Sequence, residues 1–63
     1  MNKNKVEPYR VEYECMGEHD TQTFYEYDEA WAAYAGGSHA VLQNRNGYCH
    51  LYHDDKAIAW TFA

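Results

Sequence analysis

Two short turn signals in the last third of the sequence constrain the fold more than any other feature. Asn46-Gly47 is a preferred pair for a two-residue type I′ hairpin turn, and Asp54-Asp55 can form a second two-residue turn. Pairing residues outward from each turn aligns the apolar side chains of three strands, which is the pattern that fixes strand register. The aligned rows are Leu42 with Leu51 and Ile58, and Cys49 with Trp60. The sequence therefore predicts a three-stranded antiparallel meander with one buried face.

The other face of this predicted meander is rich in tyrosine and small residues and has few charges. Its three rows are Val41 with Tyr52 and Ala57, Gln43 with His50 and Ala59, and Arg45 with Tyr48 and Thr61. Tyr and Arg are enriched at the energetic centres of protein interfaces. The face is either a binding surface, an ordinary exposed sheet face, or the contact of a homodimer.

The first half of the chain predicts a β-hairpin. Residues 9–15 alternate between apolar and charged side chains, which is the period of a half-buried strand. Turn-forming residues follow at Gly17–Asp20, and Thr21–Tyr27 is β-prone enough to return as the partner strand. The alternation in the second strand is blurred, so the register of this hairpin stays open.

A short helix is predicted between the hairpin and the meander. Asp28 suits the N-cap, Glu29 suits the first turn, and Gly36-Gly37 is a stop signal after a run of strong helix formers. Trp31 and Tyr34 lie three residues apart on one helical face and should dock on the sheet. The predicted fold is α+β, an antiparallel sheet of four to five strands in ββαβββ order with one short helix on one face. Residues 1–7 are expected to be a flexible polar leader, and residues 8–63 a single domain.

Length and composition restrict the compartment and the size of the core. A 63-residue chain buries only roughly 60% of its unfolded surface, so its stability is marginal, and its 17% aromatic content must supply much of the core. No apolar signal segment follows Met1, and no run approaches the roughly 18 apolar residues of a membrane span. We therefore expect a cytoplasmic protein in which Cys15 and Cys49 are reduced.

The charge distribution disfavours direct binding to nucleic acid. The chain has a net charge of −5, and seven acids but no Lys or Arg lie between Glu12 and Glu29. Phosphate binding needs a basic surface, which this stretch lacks. The acids are either a solvated surface or a surface that engages a basic site on a partner, and such complementarity speeds association and makes it sensitive to salt.

No catalytic or metal-binding constellation can be defended from the sequence. Cys49, His50 and His53 are close in sequence, but on a strand His50 points away from the other two, and zinc ligands must converge at about 2.0–2.3 Å. Cys49 is expected to be buried and inert, and Cys15 near His19 has no third orienting group. We therefore predict no enzyme, no cofactor and no metal, with a small His/Cys metal protein as an alternative.

The C-terminal stretch resembles a hairpin of some type I anti-CRISPR proteins. The residues that carry the resemblance are Asn46-Gly47-Tyr48, Leu51-Tyr52, Asp54-Asp55-Lys56 and Trp60. In size and organisation the whole chain is similar to the small proteins with which phages and other mobile elements inhibit host machinery. The resemblance implies a non-enzymatic, phage-type inhibitor in the host cytoplasm.

Together these observations predict a protein that binds another protein and occludes it. The expected partner is a host protein with a basic surface, such as a CRISPR–Cas protein or another nucleic-acid-handling protein. The alternative is a structural or regulatory homodimer that pairs through its sheet face. The predicted partner-binding residues are Glu12, Glu14, Glu18, Asp20, Glu26, Arg45, Tyr48, His50 and Tyr52.

Overall fold

Two β-hairpins flank one long helix in the computed structural model, which describes residues 8–63. The elements are β1 (Tyr9–Cys15), β2 (Glu18–Phe24), α1 (Tyr27–Asn44), β3 (Tyr48–His53) and β4 (Lys56–Phe62). The strands form one antiparallel sheet in the order β2-β1-β3-β4, and α1 packs on one face, mainly over β1 and β3. The predicted α+β class and helix-on-sheet arrangement are confirmed. The predicted ββαβββ order is wrong, because the order is ββαββ. The leader predicted at residues 1–7 lies outside the described residues.

The first hairpin turns earlier than predicted. β1 covers the alternating residues 9–15, as the pattern indicated, but the turn is Met16-Gly17 and not Gly17–Asp20. Both turn residues have positive φ, 54° and 84°, as a type I′ turn requires. Cys15 therefore pairs with Glu18, and β2 begins three residues before Thr21. Polar residues can occupy β2 because it is an edge strand and six of its seven residues are exposed.

The helix is much longer than the short segment that Gly36-Gly37 was predicted to end. It has 18 residues, begins at Tyr27 after an N-cap at Glu26, and continues through both glycines. The predicted N-cap at Asp28 is therefore wrong, although the acidic Asp28 and Glu29 lie in the first turn, where the helix dipole favours them. Packing on the sheet stabilises this helix despite its two glycines, since Ala30 and Val41 are fully buried.

Gly37 lets the helix approach the sheet closely. A Cβ atom at this position would lie 2.6 Å from Cys49 Sγ and 3.1 Å from a ring carbon of Tyr13, both closer than van der Waals contact allows. A Cβ at Gly36 would meet open space. The two neighbouring glycines therefore play different roles, one at the interface with the sheet and the other outside it.

Replacement of these two glycines by alanine should change stability in opposite directions. Gly36→Ala should raise the free energy of unfolding by about 0.5–1 kcal/mol, because alanine is the better helix former. Gly37→Ala should lower it by roughly 1 kcal/mol or more, because the clash with Cys49 exceeds the same helical gain. Urea unfolding followed by circular dichroism measures both. Equal stabilisation by the two substitutions would contradict the close contact at Gly37.

Asn46-Gly47 ends the helix instead of turning a hairpin. Arg45 adopts a left-handed conformation with φ 54°, and the Asn46 N–H donates to the Val41 carbonyl oxygen at 3.2 Å. The Asn46 side-chain oxygen accepts a hydrogen bond of 2.7 Å from the Met16 N–H. The strand predicted at residues 41–45 is therefore wrong. Val41 belongs to the helical core, and Leu42 is 58% exposed.

The second hairpin has the predicted turn but not the predicted register. Asp54 and Asp55 have φ of 55° and 63°, and His53 pairs with Lys56 as expected. Beyond the turn, a β-bulge shifts the pairing by one residue. The predicted pairs were Leu51 with Ile58 and Cys49 with Trp60, whereas the observed pairs are Leu51 with Ala59 and Cys49 with Thr61. A shift of one residue moves side chains to the opposite face, so Trp60 is 59% exposed and not buried beside Cys49.

The core between helix and sheet is small and is extended by aromatic rings. Its buried residues are Val11, Cys15, Ala30, Val41, Cys49 and Leu51, and half-buried Trp31 and Tyr34 pack against them as predicted. The Tyr34 hydroxyl and Thr61 Oγ1 share a hydrogen bond of 2.7 Å, which joins α1 to β4. Single core substitutions should therefore have large effects on stability.

Candidate functional site

The sheet face opposite α1 is not covered by any described element. Side chains alternate between the two faces of a strand, and buried Val11, Cys15, Cys49 and Leu51 point toward the helix. The intervening residues and their cross-strand partners therefore point away from it. We call this surface the open face. Its residues are Arg10, Glu12 and Glu14 of β1, His19, Thr21 and Thr23 of β2, Tyr48, His50 and Tyr52 of β3, and Trp60 and Phe62 of β4.

Aromatic rings form a continuous cluster around His50 in the open face. The His50 ring stacks on Tyr48, with 4.8 Å between centroids, and meets Tyr52 edge-on at 6.0 Å. The Phe62 ring lies 6.4 Å from His50 on the side of β4, and Trp60 pairs with His50 across the strands. The structure thus brings together the three predicted residues of β3. It adds Trp60, which was predicted to be buried, and Phe62, which was not among the predicted partner-binding residues.

Trp60 was predicted to be buried, and Phe62 was not predicted to bind a partner, because the β-bulge in β4 was not predicted. Ile58, Trp60 and Phe62 alternate with Ala57, Ala59 and Thr61, so the large side chains share one face of an ideal strand. The residues of β4 that lie beneath the helix are small, and Ala59 packs there against the core. That contrast in size was the available signal for an outward-facing Trp60.

An ion-pair network holds one side of the open face. Arg10 Nε lies 3.0 Å from Glu12 Oε2, and Arg10 Nη1 lies 3.2 Å from Asp55 Oδ1. The same guanidinium lies over the Tyr52 ring, 4.3 Å from its centroid, in a cation–π contact. The Tyr52 hydroxyl in turn lies 3.3 Å from His50 Nδ1. Arg10 and Tyr52 are therefore positioned by several contacts at once.

Glu14 is the acid of the open face that has no basic partner among residues 8–63. It pairs across the strands with Tyr48 on one side and His19 on the other. Loss of solvent contact raises the pKa of Tyr48, and the negative charges of Glu14 and Glu12 raise it further. The Tyr48 phenol therefore stays protonated at neutral pH and remains a hydrogen-bond donor beside a carboxylate.

The other predicted partner-binding residues lie away from the open face. Glu18 and Asp20 pair with Cys15 and Tyr13, so they project from β2 on the helix side of the sheet. Asp20 lines a cleft of about 270 Å³ between β2 and α1. Glu26 is the N-cap of α1, and Arg45 ends that helix. Five of the nine predicted residues therefore share one surface, and four do not.

The cysteines do not form a catalytic pair with histidine. Cys15 Sγ is buried and lies 3.8 Å from the Ala40 carbonyl oxygen, whereas His19 belongs to the open face. Cys49 is buried as predicted, although beneath α1 and not against Trp60, and burial raises the pKa of its thiol.

The histidines are equally dispersed. His53 stacks on Tyr9 at 4.1 Å, on the face opposite His50. Within residues 8–63, no three His, Cys, Asp or Glu side chains are grouped as metal ligands would be. The same part of the chain contains no helix of sufficient length and apolar character to cross a bilayer.

The open face thus combines exposed aromatic rings with the Glu14 carboxylate, for which residues 8–63 supply no ion-pair partner. Comparison of the chain with protein-family models, with curated proteins and with solved structures found no match in any of the three.

Proposed function

We propose that this protein is a non-enzymatic inhibitor, of the type that phages and mobile elements encode, which docks its open face on a basic surface of a host protein. The target would be a protein that handles nucleic acid in the host cytoplasm, such as a CRISPR–Cas effector. The observation that carries the proposal is the open face itself, where exposed aromatic rings lie beside Glu14, an acid with no ion-pair partner in the described part of the chain. Occlusion of the basic surface would exclude the nucleic acid that it binds.

The aromatic part of the open face supplies the apolar anchors. Trp60 and Phe62 are 59% and 65% exposed, so most of their surface is available to a partner. Tyr48 and Tyr52 flank them with hydroxyl groups that can donate hydrogen bonds. Trp and Tyr dominate the hot spots of protein interfaces because they bury a large area at a small cost in conformational entropy.

The acidic part favours a basic partner. Arg10 already pairs with Glu12, whereas Glu14 has no ion-pair partner among residues 8–63 and can pair with a Lys or Arg of another protein. The chain carries a net charge of −5, which repels nucleic acid and attracts the basic surfaces that bind it. Such association is accelerated at low ionic strength and weakened as salt rises.

The test is a phage-plating assay in bacteria that carry a CRISPR–Cas system targeting the phage. We expect expression of the protein to restore plaque formation in at least one strain whose CRISPR–Cas system has a type I effector. Trp60→Ala should weaken binding to that effector by roughly tenfold or more, as truncation of a hot-spot aromatic does. Leu42→Ala is the matched control, because Leu42 is equally exposed but lies on the helix. If no tested strain, whatever its effector type, formed plaques when the protein was expressed, the proposed target would be overturned.

Glu14→Lys tests the electrostatic part separately. The substitution should slow association with the responsive effector and reduce the dependence of affinity on salt, because it replaces an acid that attracts the basic partner by a positive charge that the partner repels. Association rates measured by biolayer interferometry at about 0.15 M and 0.5 M salt report this change. An unchanged rate and salt dependence would restrict the contact to the aromatic rings.

A second candidate function is a regulatory homodimer in which two open faces pack together. The exposed area of Trp60 and Phe62 favours it, because each copy would cover the apolar surface of the other. Face-to-face packing would also bring two Glu14 carboxylates into the same interface, and residues 8–63 offer neither of them an ion-pair partner, which opposes this arrangement. Retention of the dimer in Trp60→Ala during sedimentation would exclude this arrangement.

A further inference from the structure

β4 is an edge strand whose last residues have none of the usual protection against pairing with another chain. Edge strands are normally blunted by charged side chains, prolines or bulges. In β4 the charge is Lys56 and the bulge lies at Ile58, both near the start of the strand. Residues 59–63 contain no charged residue and no proline. This segment therefore presents a regular, uncharged edge.

The backbone groups of Trp60 and Phe62 point away from the sheet. The Ala63 N–H donates to the Gly47 carbonyl oxygen of the loop before β3 at 3.2 Å. In an antiparallel pair, alternate residues direct both backbone groups to the same neighbour, so Thr61 and Ala59 also face β3. Trp60 and Phe62 consequently direct their N–H and C=O groups to the edge of the sheet, where β4 has no neighbouring strand among residues 8–63.

The other edge of the sheet is unsuited to pairing with itself. β2 has the sequence EHDTQTF, which contains two acids and no Lys or Arg, and six of its residues are exposed. Two copies of β2 side by side would bring four acids and no Lys or Arg into one contact, and like charges on adjacent strands are destabilising. Since the whole chain carries a charge of −5, the uncharged end of β4 is where two copies can approach with least repulsion.

We propose that two copies of this chain pair antiparallel through the end of β4, with Thr61 of each copy at the two-fold axis. In this register Trp60 of one copy lies opposite Phe62 of the other. The two-fold symmetry also places Phe62 of the first copy opposite Trp60 of the second. Aromatic cross-strand pairs of this kind stabilise antiparallel sheets. The outward backbone groups of both residues are then satisfied, and the register keeps both helices on the same side of an eight-stranded sheet.

The position of the helix leaves room for this assembly. α1 packs mainly over β1 and β3, so the edge of β4 projects beyond it. The two open faces join into one surface, which presents twice as many aromatic anchors to a partner. The pairing does not depend on the proposed inhibitor function, since it rests on β4 and its edge alone.

Disulfide cross-linking tests the pairing and its register together. Because the backbone of Thr61 faces β3, the proposed Thr61–Thr61 pair is non-hydrogen-bonded, with Cα atoms about 4.5 Å apart, within disulfide range. Under mild oxidation, Thr61→Cys should form a covalent dimer on a non-reducing gel. Thr23→Cys, on the opposite edge, is the matched control and should stay monomeric. Both variants also carry Cys49→Ala, because Cys49 lies directly opposite Thr61 on β3 and could form an intramolecular disulfide with a cysteine there. The remaining Cys15 is buried.

Sedimentation of the wild-type protein gives an independent measurement without a new cysteine. An edge contact is smaller than a standard interface, so we expect the mass to rise from 7.4 kDa toward twice that value between about 10 μM and 1 mM. Trp60→Pro should abolish the rise, since a proline there blocks the outward edge but removes no hydrogen bond to β3. Trp60→Ala should weaken the dimer less than Trp60→Pro, because alanine keeps the outward backbone N–H. A constant monomer mass, or dimerisation that survives Trp60→Pro, would overturn the proposal.

Discussion

Leu51→Ala should lower the free energy of unfolding by about 2–5 kcal/mol, the usual loss when a buried leucine is truncated. Leu51 is 0% exposed and is the largest of the fully buried side chains. It lies on β3, next to β1 in the sheet and beneath the helix, so its truncation leaves a cavity within the buried cluster. A domain of 63 residues has a small stability margin, and we expect much of this variant to be unfolded at room temperature.

Leu42→Ala is the matched control for that substitution. The strand pairing predicted from sequence places Leu42 in the same buried row as Leu51, but the structure places it on the solvent side of α1 with 58% exposure. Its truncation should change stability by no more than about 0.5 kcal/mol, and alanine is a good helix former. Urea unfolding monitored by circular dichroism compares the two. Equal losses would return Leu42 to the core and contradict the helical assignment of residues 41–44.

The features that could be predicted from sequence are those fixed by neighbouring residues. The alternation of residues 9–15 identified β1, and Asp54-Asp55 identified the second hairpin turn. The shared face of Tyr48, His50 and Tyr52 followed from the same period of two. In each case local geometry alone decides the outcome, because no distant contact competes with it.

The features that could not be predicted depend on contacts between distant parts of the chain. Gly36-Gly37 is a helix stop by local preference, yet α1 continues because Gly37 fits against Cys49 on β3. Asn46-Gly47 is a hairpin signal, but here it follows a helix that ends at left-handed Arg45, and of the pair only Gly47 has a positive φ. Both errors arose because one local signal is compatible with two structures, and packing on the sheet selects between them.

Of the incorrect predictions, the β4 register without its bulge has the largest consequence for the proposed function. By moving Trp60 from the predicted core to the open face, the bulge converts a tyrosine-bearing surface into a strongly aromatic one. It also leaves only Ala59 and Thr61 beneath α1 on that strand, where the Tyr34 hydroxyl reaches Thr61. The proposed partner surface and the proposed β4 pairing therefore both depend on the register that the bulge sets.

Gly47 is the position where a single added methyl group should be most damaging. Its φ is +91°, which is unfavourable for any residue with a side chain, and a Cβ there would collide with the Glu14 carbonyl oxygen. The same atom would lie 2.9 Å from the Cα of Cys15, which is fully buried in the core. Neither neighbour can rotate away, because both contacts are to backbone atoms of β1.

We therefore expect Gly47→Ala to lower the free energy of unfolding by roughly 3 kcal/mol or more, as backbone strain adds to overpacking. Gly17→Ala is the control, since its φ of +84° is similar but its Cβ would meet open space, so it should lose only about 1 kcal/mol. Thermal and urea unfolding measure the stability that each variant loses. Gly17→Ala reports the backbone strain alone, and the additional loss in Gly47→Ala reports the collision with β1. If both variants lost the same stability, the loop before β3 would have to lie farther from β1, and the Asn46–Met16 hydrogen bond that ties it to the first hairpin would be in doubt.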